Sequence, residues 1–263
     1  MSIEEYIQFI VKGPFALLFL LSILCFEYVM YLVRDKKYSW KHTLSNFVVL
    51  FTGVILFSFF NQYVLTRDSV IFFVKQHALF STPVSWTFFF IWLVLFDCIS
   101  YWTHILYHKS DFFWMFHSVH HSDTDLNAST TIRVPIVASF FTVTSYAFFS
   151  FLGINPLLLP AIAQTIFLHQ ILTHSFLLRG LFPNVISLIF ITPDMHAIHH
   201  TKKYSNHNYG FLFSFWDKIF GTMLLKKYKN ETFGIDSYTD THNPFWIQVE
   251  GVVRFYKKKV LNK

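Results

Sequence analysis

The sequence predicts an all-α, polytopic membrane helical bundle with a cytoplasmic helical cap, and three observations predict it. Hydrophobic residues make up 54% of the 263 residues and mean hydropathy is +0.43, above the range usual for soluble domains. Apolar stretches long enough to cross a bilayer recur along the chain. Eleven of the fourteen histidines fall between His104 and His207, many at spacings that a helix places on one face.

The first apolar stretch, about Pro14 to Val33, ends in the basic run Arg34, Asp35, Lys36, Lys37. Glu4 and Glu5 precede it, and it has neither a basic leader nor a small-residue cleavage site, which predicts a retained anchor and not a removed signal peptide. Glu27 inside it is either a buried functional carboxylate or a side chain reaching the interface. The second span runs from about Leu44 to Leu65 and the third from about Val84 to Tyr101, with Arg67, Asp68 and Lys75 between them. Asp97 in the third span must face protein or a polar site. A paired run from Pro135 to Leu172 is broken at Gly153, Ile154, Asn155 and Pro156, and the break predicts a helical hairpin.

With Arg34 to Lys41 on the cytoplasmic side, the spans alternate so that everything after about Thr173 is inside. Lys202, Lys203, Lys226, Lys227, Lys257, Lys258 and Lys259 then agree with the positive-inside rule, and every histidine cluster lands on one membrane face. The net charge of +6 therefore points to anionic headgroups, with no nucleic-acid partner expected. The 35 Phe residues serve as lipid-facing surface, or as the lining of an apolar channel. Cys25 and Cys98 both sit in apolar stretches and are expected to be small core residues, not a disulfide or a thiolate metal site.

The histidines form three boxes. His104 and His108 are an i, i+4 pair at the end of the third span. His117, His120 and His121 stand in FHSVHH, and His196, His199 and His200 repeat the spacing in MHAIHH. Roughly 0.04 copies of H-x-x-H-H are expected by chance in a chain this rich in His, and it occurs twice. Imidazoles packed together without a cation leave donors and acceptors unsatisfied, so metal binding is the expectation. Eight or nine imidazoles exceed one structural zinc site and suit two ions with open positions, although imidazole also accepts zinc, copper and nickel.

HILYH, FHSVHHSD, TPDMHAIHH and NYGFLFSFWDKIFGT together resemble the fatty acid hydroxylase and sterol desaturase superfamily, over about Trp92 to Thr222. The closing stretch, Asn208, Tyr209 and Gly210 through Trp216, Asp217, Phe220 and Gly221, is similar to its bacterial sterol desaturase-like and alkylglycerol monooxygenase-like branches. The resemblance implies two non-haem irons held on the cytoplasmic side by His104, His108, His117, His120, His121, His196, His199 and His200. A ninth ligand is usual between the second and third boxes, and His174 is chosen over His169, which lies inside the span; His207 is a further candidate. Asp97, Asp123, Asp125, Asp194 and Asn208 are near enough in sequence to orient the ligand rings. Asp123 and Asp125 have a loop-capping alternative, and Trp216 and Asp217 a packing and capping one. His42, His77 and His242 lie outside the pattern and read as solvated or interfacial.

The apolar spans and the basic tail predict N-terminal transmembrane helices over residues 1–83 and a basic C-terminal tail over 233–263, the resemblance implies a fatty acid hydroxylase-like di-iron region over 84–232, and the lack of repeats and linkers predicts one integrated membrane domain. The implied activity is O2-dependent hydroxylation or desaturation of a lipid-like substrate: sterol, fatty acyl chain, ether lipid or carotenoid. The chain has no Gly-rich dinucleotide fingerprint, so electrons are expected from an external reductase, cytochrome or ferredoxin. A bacterial inner membrane is the expected location. The rivals are a zinc-dependent membrane hydrolase, which would carry an H-E-x-x-H glutamate that no box here contains, and a non-enzymatic metal carrier or sensor, which would line the transmembrane path with its ligands.

Overall fold

The computed structural model describes residues 1–34, 37–63, 72, 76–226, 232–236, 238 and 241–261. Asp35, Lys36, Arg67, Asp68, Lys75, Lys227 and the end of the second expected span at Leu65 lie outside the described residues. Among the described residues the fold is helical, with no sheet and two isolated β-bridges, Phe190 with Phe213 and Thr201 with Phe233.

Helix α1 (Ile3–Lys12) starts at a capping box in which Ser2 and Glu5 satisfy each other's amides. It is followed by α2 (Phe15–Val33) and α3 (Trp40–Tyr63). Ser85 caps α4 (Trp86–Lys109) through the Phe88 amide, and after a one-residue break at Ser110 the chain turns into α5 (Asp111–His121). A 3-10 turn, Ala128–Ile132, leads to α6 (Ala138–Phe151) and α7 (Leu158–His174). Their connection contains Gly153 at φ 101°, where a Cβ would lie 2.3 Å from the Phe80 carbonyl oxygen, so only glycine fits. The expected hairpin break therefore falls where Gly153 and Pro156 put it. Two short helices, α8 (Pro193–His199) and α9 (Phe215–Ile219), precede α10 (Pro244–Tyr256), which Asn243 caps and Pro244 begins.

By length and composition, α2 and α4 are apolar enough to cross a membrane. At 14 and 17 residues, α6 and α7 are shorter than the roughly 20 residues a helix needs to span a bilayer. Cys25 is exposed on α2 and Cys98 partly so on α4, which corrects the expectation of two core cysteines: both point outward from the bundle. One apolar cluster joins α1, the N-terminal halves of α4 and α7, and the end of α6 through Ile3, Ile7, Phe89, Trp92, Phe149 and Ile162. Further along the bundle, Leu20, Leu24, Ala128, Ile132 and Ile171 pack α2 against the 3-10 turn and α7. Beyond these layers the interior becomes polar, and there the histidines collect.

Candidate metal centre

Four helices deliver the rings. Helix α4 ends with His104 and His108 one turn apart, α5 with His117, His120 and His121, and α7 with His174, while α8 and its C-cap carry His196, His199 and His200. The structure brings these nine together in two groups. His104, His108, His117, His121 and His199 form one; His120, His174, His196 and His200 form the other. Within each group the potential ligand nitrogens lie within 4.8 Å of one another. The H-x-x-H-H spacing splits each box between the groups, because His120 turns away from His117 and His121, and His199 away from His196 and His200.

Ring tautomers follow from what the outer nitrogens touch. His104 Nδ1 donates to the Tyr209 carbonyl at 2.7 Å, His199 Nδ1 to His207 at 2.8 Å, His174 Nδ1 to Gln170 at 2.7 Å and His120 Nδ1 to Arg133 at 3.2 Å. A neutral imidazole with its proton on Nδ1 presents a bare lone pair at Nε2. Those lone pairs face each other, at 3.2 Å between His104 and His199 and 3.2 Å between His120 and His174. Two acceptors so close repel unless a cation lies between them. Buried His108 Nε2 and His121 Nε2 in the first group have no hydrogen-bond partner, a cost that coordination would remove, and in the second group His196 Nε2 lies 3.0 Å from His174 Nε2 and 3.2 Å from His200 Nε2. The donor set therefore fits a divalent transition metal in each group.

Electrostatics keeps the rings in their ligating form. Burial, reinforced by neighbouring imidazoles, holds His117, His121, His174, His196, His199 and His200 well below the usual histidine range. Burial also brings His120 down to about 4. Neutral imidazoles are what a metal requires.

The side chains expected to orient these rings bond elsewhere, and this corrects the sequence expectation. Asp97 accepts the amides of Leu212 and Phe213 and the Trp216 indole. Asp123 takes His42, the Thr130 hydroxyl and the Asp125 amide, so it caps the loop after α5. Asp125 accepts the Tyr31 hydroxyl, and Asp194 the Gly180 amide. Asn208, at φ 56°, donates to the Met195 and Leu224 carbonyls. Backbone carbonyls do the orienting instead; Asp97 and Asn208 hold the stretch around the Tyr209 and His207 carbonyls, and Asp123 the turn before Arg133. Asp217 accepts the Tyr209 and Gly210 amides and the Thr222 hydroxyl, the capping alternative.

His169 and His207 stay outside both groups: the His169 ring bonds the Phe211 carbonyl at 3.0 Å, and His207 offers its backbone oxygen to His199. His42 is buried against Asp123, not solvated, while His77 is exposed and His242 partly buried near the His42 ring. Sequence reasoning missed Arg133, fully buried, whose guanidinium bonds Val119 O, Ser122, Asn46 and Thr241 O while its carbonyl orients His120. A lone arginine after Ala-Ser-Thr-Thr-Ile carries no signal for that. Glu27 did carry one. It is fully buried, and its carboxylate accepts the Ala128 and Phe176 amides and the Ser175 hydroxyl, tying α2 to the turn after His174.

Fold and site together define a helical protein built around two adjoining clusters of imidazoles. A family model for the fatty acid hydroxylases matches residues 89–222, just over half of the chain and the stretch containing all nine rings. The chain belongs to the fatty acid hydroxylase family. It is 32% identical over 196 residues to the human alkylglycerol monooxygenase, covering 72% of this chain and 42% of that protein. The alkylglycerol monooxygenase of Xenopus tropicalis is 29% identical over 170 residues, 64% of this chain and 37% of the relative. Ornithine lipid hydroxylase OlsE of Rhizobium tropici is 31% identical over 140 residues, 49% of this chain and 40% of the relative. The chain thus spans less than half the length of these curated relatives. No solved structure matches it.

Proposed function

We propose that this chain is a multi-pass membrane oxygenase that hydroxylates a lipid, using two non-haem irons held by His104, His108, His117, His121 and His199 on one side and His120, His174, His196 and His200 on the other. The observation that carries the reading is the pairing of Nε2 lone pairs across each group while the Nδ1 protons are committed to backbone carbonyls. The bound metals would supply O2 activation and oxidation of an unactivated C–H bond. The protein's part is to keep nine imidazoles neutral and oriented, to exclude water by burying them, and to hold the reacting carbon of the lipid beside them. Electrons would come from an external donor, a reductase, cytochrome or ferredoxin.

Hydroxylation is preferred over desaturation because the relatives are named monooxygenase and hydroxylase. Both names also specify lipids, which favours a polar lipid with a long apolar chain as substrate. The proposed topology has α2, α3 and α4 crossing the membrane in alternate directions and the histidines on the cytoplasmic side of a bacterial inner membrane, where the basic run after α2 and Lys257, Lys258 and Lys259 would meet anionic headgroups. The test is the metal content of detergent-purified protein beside a His120→Ala, His199→Ala double variant, which removes one ligand from each group. About two irons per chain, largely lost in the variant, is expected. A single zinc, or iron unaffected by the variant, would overturn the reading in favour of a hydrolase or metal carrier.

A further inference from the structure

The chain between His174 and His196 does not leave the bundle; it runs back along it. Phe176 packs edge-on against Tyr31, with ring centroids 4.8 Å apart, and the Arg34 guanidinium lies 5.9 Å from the same ring. The segment therefore sets out level with the C-terminal end of α2. It then reaches the 211–214 loop, where Ile191 donates its amide to Leu212 O and Ser214 donates to Ile189 O. That loop is fastened to Asp97, which accepts the Leu212 and Phe213 amides.

Asp97 lies midway along α4 (Trp86–Lys109). At about 1.5 Å per residue it is roughly 17 Å from either end, close to the centre of a hydrocarbon core about 30 Å thick. Leu212 agrees, because it is buried in the apolar cluster of Phe89, Trp92 and Ile162, on the halves of α4 and α7 remote from the histidines. The 187–191 stretch and the 211–214 loop thus lie beside the middle of a helix apolar enough to span a membrane.

Two further observations identify what covers the segment between Gly180 and Pro193. From Gly180 to Pro193 there is no charged side chain, yet Leu181, Val185 and Ile189 are 66%, 61% and 49% exposed, with Phe182, Leu188 and Phe190 also open. A contiguous exposed apolar patch of this kind marks contact with something apolar. Backbone groups of the segment are meanwhile satisfied by protein: Ile186 donates to Pro183 O, Leu188 to Val185 O and Phe190 to Ile186 O within it, and the Ser214 hydroxyl donates to Ser187 O from behind. Irregular backbone is tolerated at membrane depth only when the protein itself satisfies it.

We propose that residues 181–190 form a re-entrant segment whose apolar side chains face the acyl chains of the leaflet, with Asp97 as the anchor that holds it at depth. This rests on the reading of α2 and α4 as membrane helices. It also revises the cytoplasmic cap: the connection between α7 and α8 enters the bilayer before returning to His196.

The test uses full-length protein with Cys25 and Cys98 replaced by serine, carrying a single cysteine at Val185 or Ile189 and reconstituted into vesicles of phosphatidylcholine and phosphatidylglycerol. Val29, exposed on α2, supplies the lipid-facing control, and exposed Lys203 the water-facing one. Fluorophores at Val185→Cys and Ile189→Cys are expected to be quenched by spin-labelled lipid as strongly as at Val29→Cys, with loss of labelling by an impermeant maleimide in open vesicles. Labelling as fast as at Lys203→Cys, while Val29→Cys stays quenched, would overturn the re-entrant segment and leave the membrane reading standing. Protection without lipid quenching would also overturn it, by showing that protein covers the patch. Absence of quenching at Val29→Cys would bring down the membrane reading and this proposal together.

Discussion

His174 shows what a single side chain decides here. Its Nε2 lies 3.2 Å from that of His120 and 3.0 Å from that of His196, while its Nδ1 proton is held by Gln170 O. It thus stands between its neighbours in the four-histidine group, and His169, one turn and a residue earlier, points at Phe211 O instead. Replacing His174 by Ala should remove one metal per chain and leave the five-histidine group loaded, whereas His169→Ala should leave metal content unchanged. Elemental analysis of the two purified variants checks this, and equal losses in both would contradict the grouping. The two residues are five apart, so a helix turns them about 140° away from each other, and only one can face the cluster.

At the scale of elements, the site depends on how α5 is braced from behind. Its outer face carries Met115 and Ser118, and α10 lies against that face so closely that a Cβ on Gly251 would come within 1.9 Å of Met115 O and 2.8 Å of Ser118 Oγ. The Ser118 hydroxyl also meets Tyr238 at 2.7 Å. Gly251→Ala should therefore force the helices apart, at a cost of about 1–3 kcal/mol or more for an overpacked contact. Because α5 carries His117, His120 and His121, the same change should loosen metal retention. Thermal unfolding and dialysis against a chelator would read the two effects, and an unchanged Tm would show that α10 is not the brace. Lys258, paired with Asp111 at the start of α5, strengthens the contact only weakly because both are exposed.

For the whole molecule, the layers run from an apolar bundle at one end to a buried polar interior at the other. Exposed Leu18, Leu21, Phe26 and Val29 on α2, and Phe90, Ile91 and Leu95 on α4, give the apolar end a surface that water does not suit. The chain should accordingly stay with the membrane through an alkaline carbonate wash and come off only in detergent, read by immunoblot of the two fractions. Release by carbonate alone would refute a spanning arrangement.

Much of this was legible in the sequence. Apolar length announced α2 and α4, Gly153 and Pro156 announced the break between α6 and α7, and the repeated H-x-x-H-H announced a cluster of imidazoles. Each is a local property: hydropathy, backbone dihedral preference and helical periodicity act over a few residues and need no knowledge of what lies across the bundle. The tertiary structure decided the rest. Which rings share a group, the use of the Tyr209, His207, Gln170 and Arg133 carbonyls in place of carboxylates as ring partners, and the burial of Glu27, His42 and Arg133 all depend on residues distant in sequence. Backbone carbonyls are identical at every position and leave no mark in a sequence, so their role becomes visible only when the fold points them at a particular imidazole.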